Sequence, residues 1–116
     1  MEKGNISIRY MQNYLSAKES IDEKNAKTHP DQYFIKLVEE VGELARVICR
    51  GGRHATGIDD LKGSMEEELY DILYYTLMIA SKNGVDMETW IPLKEELNNR
   101  RYPSGIPFDP TGKGQD

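Results

Sequence analysis

Leu69-Tyr70-Asp71-Ile72-Leu73-Tyr74-Tyr75-Thr76-Leu77-Met78-Ile79-Ala80 is the stretch from which the fold is read. A helix that is apolar on nearly every side is a buried one, and Asp71 is the only ionisable carboxylate in it. A buried carboxylate must be paired, protonated or bound to metal. No Lys or Arg lies within a helical turn of Asp71. Glu68 stands three residues upstream, so on a helix the two acids leave one face, one turn apart. The same spacing occurs earlier in Glu40-Val41-Gly42-Glu43. The economical reading is two helices that together present four carboxylates to one or more hard divalent cations. Mg²⁺ takes oxygen ligands and keeps several waters, so one or two carboxylates per ion and substrate phosphates suffice.

Working outward, Ser64-Met65-Glu66-Glu67 has capping-box spacing, which predicts a third helix from near Met65 to Asn83-Gly84. Before it, Phe34, Leu37, Val38, Val41, Leu44, Ala45 and Ile48 follow helical periodicity as one stripe, with Glu39, Glu40 and Glu43 on its flank and far side. This second helix is expected to begin at Pro30, capped by Thr28 or His29, and to stop at Gly51-Gly52. Cys49, at its end, reads as a small buried hydrophobe. A first helix spans about Ser7 to Asn25 and is broken by the segment 26–30. A fourth runs from Asp86 to about Arg101, with Pro92 expected to kink or restart it. From Tyr102 the chain is rich in Pro and Gly and reads as irregular. The fold class is therefore all-α, a four-helix-bundle-like core in one domain over 1–103, with a tail over 104–116. A helix as apolar as Leu69–Ala80 in so short a chain predicts that oligomerisation completes the core.

Composition narrows the function. With 116 residues and a formal charge of −5 there is no electrostatic footprint for nucleic acid, and a phosphate-bearing substrate would depend on metal ions or a local basic patch. The single Cys49 excludes an internal disulfide and fits a reducing cytoplasm. The N-terminal MEKGNISIRY lacks the apolar core of a signal peptide, and no apolar run is long enough to cross a membrane.

The run Glu39-Glu40-Val41-Gly42-Glu43, followed by Glu68-Leu69-Tyr70-Asp71, resembles the EExxE…ExxD signature of the all-α nucleoside triphosphate pyrophosphohydrolases, the MazG-like superfamily. Lys94, Asn98 and Arg101-Tyr102-Pro103 look like the K-x-x-x-N-x-x-R-Y pattern that closes the family's fourth helix, so the resemblance covers roughly Gln32 to Pro103. It implies hydrolysis of a nucleoside triphosphate between the α and β phosphates, to a monophosphate and pyrophosphate, as in nucleotide-pool house-cleaning. It also implies Mg²⁺, replaceable by Mn²⁺, on Glu40, Glu43, Glu68 and Asp71. Glu39 matches the position that holds or deprotonates the attacking water, and Lys94, Asn98 and Arg101 match phosphate contacts. A homodimer or homotetramer with sites between helices of different chains is implied as well.

Plainer readings stand beside these. Glu39, Glu40 and Glu43 can be a solvated helix face, and Tyr75 can donate a hydrogen bond to Asp71 and leave a structural buried acid. Glu66 and Glu67 suit the helix N-terminus. His29 and His54 have no second ligand spaced to join them. Arg50-Gly51-Gly52-Arg53 is either a phosphate grip or a glycine helix stop. Tyr10, Tyr14 and Gln12 are available to hold a nucleobase, while the tyrosines also read as core. A carboxylate-bridged di-iron bundle wants Glu-x-x-His, whereas position 43 is Glu and position 71 is Asp. A non-catalytic helical interaction module is the remaining alternative.

Overall fold

The computed structural model describes residues 4–25 and 31–113. It consists of α1 (Ile8–Asn25), α2 (Asp31–Cys49), α3 (Met65–Lys82) and α4 (Met87–Arg101), with a short 3-10 turn at Ile58–Asp60 between α2 and α3. No strand occurs among the described residues. The break expected at 26–30, with its Thr28 or His29 cap and Pro30, lies outside them.

Local chemistry sets the helix ends. The Ser7 hydroxyl accepts the Tyr10 N–H at 3.0 Å and opens α1. Gly51 and Gly52 hold φ of 103° and 68°, a region costly for side chains. There they return the Gly52 N–H to Val47 at 2.8 Å and the Gly51 N–H to Ile48 at 3.2 Å, which satisfies the last carbonyls of α2. Ser64 caps α3 by accepting from the Glu67 N–H at 3.1 Å. The return bond differs from a capping box: Glu67 accepts from Gly63 at 2.9 Å, because the Ser64 N–H already donates to Leu61 at 3.1 Å. Asp86 caps α4 through the Glu88 N–H at 3.1 Å. Pro92 does not restart this helix, which is one element from Met87 to Arg101. The ring removes a single N–H, so the cost is confined to the carbonyl one turn back, that of Glu88.

α2 lies along α3, α1 packs on α3, and α4 packs on α1. The α2–α3 pair is antiparallel, since the Tyr33 and Tyr75 ring centroids meet at 6.4 Å while Glu40 meets Glu68 and Asp71 further along. Leu15, Tyr33, Leu77 and Met78 form the buried core, with Ile8, Met11, Tyr74, Tyr75, Ile79 and Met87 against it. Two polar ties fasten the helices. Glu19, 8% exposed, accepts from the Tyr33 hydroxyl at 2.8 Å and pairs with Lys82 at 2.6 Å. Gln12 is equally buried and donates to Ser81 Oγ at 3.1 Å and the Val85 carbonyl at 2.9 Å, while accepting the Met87 N–H at 2.9 Å. Its whole amide is engaged in holding α1 to the α3–α4 turn.

The single apolar stripe expected on α2 is two rows. Tyr33, Leu37, Glu40, Leu44 and Val47 are buried or half-buried and at about 100° per residue share one face, with half-buried Glu43 at its edge. Phe34, Val38, Val41 and Ile48 occupy the adjacent face and are each more than half exposed. Periodicity merged the two because apolar residues fill both. Cys49 falls toward the outward side and is exposed rather than buried. On α3, Leu69, Tyr70 and Leu73 are also exposed, so within one chain this helix is not buried on all sides. Tyr10 and Tyr14 are not core either: both are exposed, with rings stacked at 6.3 Å. Residues 102–113 form neither helix nor strand. Ile106 and Phe108 lean toward Ile91 and Pro92 of α4 and, with Ile6 and Ile8, line a cavity of about 850 Å³.

Candidate metal centre

Antiparallel packing places Glu40 of α2 against Glu68 and Asp71 of α3, and one carboxylate oxygen from each lies within 4.8 Å of the others. Glu40 reaches this position because it belongs to the inward row of α2. Glu68 and Asp71 follow the three-residue spacing on α3. Glu68 is only 6% exposed, and its Oε2 has no hydrogen-bond partner. Burial, then the hydrogen bond to Glu40 and the charges of Glu40, Asp71 and Glu67, pushes its pKa up to about 7. Asp71 is raised as well, first by burial and then by the charges of Glu40 and Glu67. Burial and the neighbouring negative charges thus hold Glu68 and Asp71 back from ionising. An orphaned carboxylate oxygen in an all-oxygen donor set is the chemistry of a hard divalent cation.

The remaining sequence candidates are placed differently. Glu43 stands outside the three-carboxylate group and pairs with Arg46 at 3.5 Å; at three residues from Glu40 it is rotated about 60° around the helix. Glu39 is exposed and hydrogen-bonded to Lys36 at 3.2 Å. Lys94 and Arg101 are exposed and Asn98 half-buried on α4, whose main packing partner is α1. Tyr75 is half-buried, and burial followed by the charge of Glu40 raises its hydroxyl pKa. It makes no hydrogen bond to Asp71 among the described residues, so the structural-acid reading lacks the bond it needs.

The loop between α2 and α3 is held by its own side chains. Glu66 accepts from the Ala55 N–H at 2.6 Å and lies 2.6 Å from His54 Nδ1. These two contacts, His54 first, lower its pKa to about 2. Arg53 donates to the carbonyls of Asp60 at 3.0 Å and Lys62 at 2.6 Å, which commits it to the loop rather than to a phosphate. Lys36, one turn before Glu40 on α2, is exposed and is the partner of Glu39.

The family model of the MazG nucleotide pyrophosphohydrolase domain matches residues 28–105. The chain is 33% identical over 81 residues to dCTP pyrophosphatase 1 of Homo sapiens, covering 66% of this chain and 48% of that protein. It is 34% identical over 79 residues to dCTP pyrophosphatase 1 of Bos taurus, covering 64% and 46%. It thus spans about half the length of the curated relatives it matches. The crystal structure of iMazG from Vibrio DAT 722 is similar with a TM-score of 0.65 at 39% identity, covering 84% of this chain and 99% of that one.

Proposed function

Because the chain belongs to the MazG nucleotide pyrophosphohydrolase family, we propose that it hydrolyses a nucleoside triphosphate between the α and β phosphates, to a monophosphate and pyrophosphate. The observation that carries this reading is the group of Glu40, Glu68 and Asp71 with its buried, unpartnered Glu68 Oε2. The proposed cation is Mg²⁺, with Mn²⁺ able to replace it. Glu43 would be a fourth ligand once released from its exposed pair with Arg46, which costs little to open. When bound, such an ion supplies positive charge that neutralises and positions phosphate oxygens.

The protein's own groups are assigned the rest. Glu39 orients the attacking water and takes its proton. Lys94, Asn98 and Arg101 hold the outgoing phosphates, with positioning and charge doing most of the catalysis. Since α4 packs on α1, these groups are proposed to meet a carboxylate cluster in a homodimer or homotetramer. The outward row of Phe34, Val38, Val41 and Ile48, with Leu69, Tyr70 and Leu73, is the proposed contact surface. Residues 1–103 are proposed as the domain and 104–116 as its tail. Among the described residues no helix is long and apolar enough to cross a membrane, and we place the protein in the cytoplasm, clearing nucleotide pools without binding nucleic acid.

The test is a release assay over a broad panel of canonical and damaged nucleoside triphosphates with and without Mg²⁺. dCTP comes first because the relatives are named for it. Metal-dependent appearance of monophosphate and pyrophosphate in one step supports the reading. Inorganic phosphate with a diphosphate product refutes the mechanism, and silence across the panel favours a non-catalytic helical module.

A further inference from the structure

We propose that Lys36 is a substrate-contacting residue of this site, its ammonium leaving Glu39 to meet the phosphate chain of the bound nucleotide. The inference rests on the triphosphate reading and adds a residue to it. Lys36 precedes Glu40 by four residues, so it lies about 6 Å further along α2, on nearly the same side of the helix. In the antiparallel register Tyr75, one turn beyond Asp71 on α3, meets Tyr33, so Lys36 lies between that level and Glu40 along α2. The exposed Lys36 side chain therefore starts from a level of α2 one turn from the group of Glu40, Glu68 and Asp71.

Its present partner is weak. The Lys36 Nζ to Glu39 Oε2 contact is 3.2 Å between side chains that are 52% and 54% exposed. A pair three residues apart on an open helix surface is easily exchanged for a more highly charged anion. Glu39 chiefly raises the pKa of the ammonium; after the opposing effect of burial, the Tyr75 hydroxyl and then Glu40 add to it, so both lie within electrostatic reach. Among the neighbouring cations, Arg53 is engaged with loop carbonyls and Lys82 with buried Glu19, while Arg46, six residues beyond Glu40, is rotated about 120° around α2 from it. A polyphosphate brings several negative charges to a corner already lined with carboxylates. Lys36 is the cation that α2 itself can offer there, whereas Lys94 and Arg101 stand on a helix packed against α1.

The test is calorimetric binding in the presence of Mg²⁺ with two probes, α,β-methylene-dCTP and base-free inorganic triphosphate, alongside Mn²⁺ titration alone. Lys36→Ala should weaken both phosphate probes by roughly tenfold or more, the usual scale for a lost charge-assisted hydrogen bond. Lys36→Arg should stay within about threefold of wild type, and Mn²⁺ affinity should not fall in either variant. Unchanged probe binding in Lys36→Ala, with wild type binding normally, overturns the role of Lys36 and leaves the nucleotide reading intact. A parallel loss of Mn²⁺ affinity overturns it too, because Lys36 would then be supporting the carboxylates. A wild type that binds neither probe and releases no pyrophosphate refutes both readings together.

Discussion

Replacing Glu68 by Gln should make the metal-free protein more stable at pH 8 and deprive it of its stabilisation by metal. Glu68 is raised from the usual 4.5 to about 7 in the folded chain. Its favourable state in the fold is thus the protonated one. The sign follows directly: between 4.5 and 7 the folded state holds a proton that the unfolded state has lost, so stability falls as pH rises through that window. At about 1.4 kcal/mol per pH unit, ionising Glu68 inside the fold costs about 3 kcal/mol by pH 8. For a chain of this size that is a Tm decrease of about 10 °C. Asp71 is shifted in the same direction and adds to the slope. Asp60, Glu66, Asp86 and Asp109 are lowered instead, so their contribution is lost only on acidification below the window. Thermal melts in EDTA from pH 5 to 8 should therefore show wild type losing Tm and Glu68→Gln losing much less. Adding Mg²⁺ or Mn²⁺ at pH 8 should raise wild type by mass action and leave Glu68→Gln nearly unmoved. A wild-type Tm that is flat across this range, or an equal pH slope in both proteins, would refute the argument that a desolvated acid cluster awaits a cation.

Further outcomes follow from the same geometry. Asp71→Asn should abolish most of the Tm increase produced by Mg²⁺ or Mn²⁺, and an undiminished increase removes Asp71 from the ligand set. Glu39→Gln should retain triphosphate binding yet lose most turnover, read as a fall in kcat with little change in affinity. Lys94→Ala should weaken both binding and rate, and full activity would detach α4 from the phosphates. Gln12→Leu should cost about 2–3 kcal/mol by leaving the Met87 N–H and the Val85 carbonyl without partners, measured by denaturant unfolding, with the metal response unchanged.

Much of this was legible in the chain because its signals are local. Helix ends at Ser7, Ser64, Gly51-Gly52 and Asn83-Gly84 depend on side chains and backbone within a few residues, and they fall where the spacing places them. The pairing of Glu40 with Glu68 and Asp71 was also within reach, since neighbouring helices joined by a short loop tend to pack together. What was lost was rotation. On α2 both the inward and the outward row are apolar, so periodicity could not say which row faces α3, nor that Glu43 turns away toward Arg46 while Glu40 turns in. Tyr10, Tyr14 and Cys49 were misplaced for a related reason: an apolar or aromatic residue on a helix carries no mark of which surface it meets. Gln12 was offered to a nucleobase because its partners at Ser81, Val85 and Met87 are remote in sequence.

That remoteness sets an order of assembly. The partners of Gln12 lie 69, 73 and 75 positions downstream, so a nascent chain that has emerged only through α2 has none of this amide's native partners. α2 and α3, by contrast, are sequence neighbours whose connecting loop fastens itself through Glu66 and Arg53, and closing it costs less entropy than bringing α1 to α4. The acid-bearing hairpin can therefore form first, and the docking of α1 onto the α3–α4 turn becomes the late, non-local event that locks the chain. Pulse-labelled hydrogen exchange during refolding should accordingly protect the amides of α2 and α3 before the Met87 N–H. A ribosome still holding the residues beyond Lys82 would already display the carboxylates face to face, with the first helix waiting for its place.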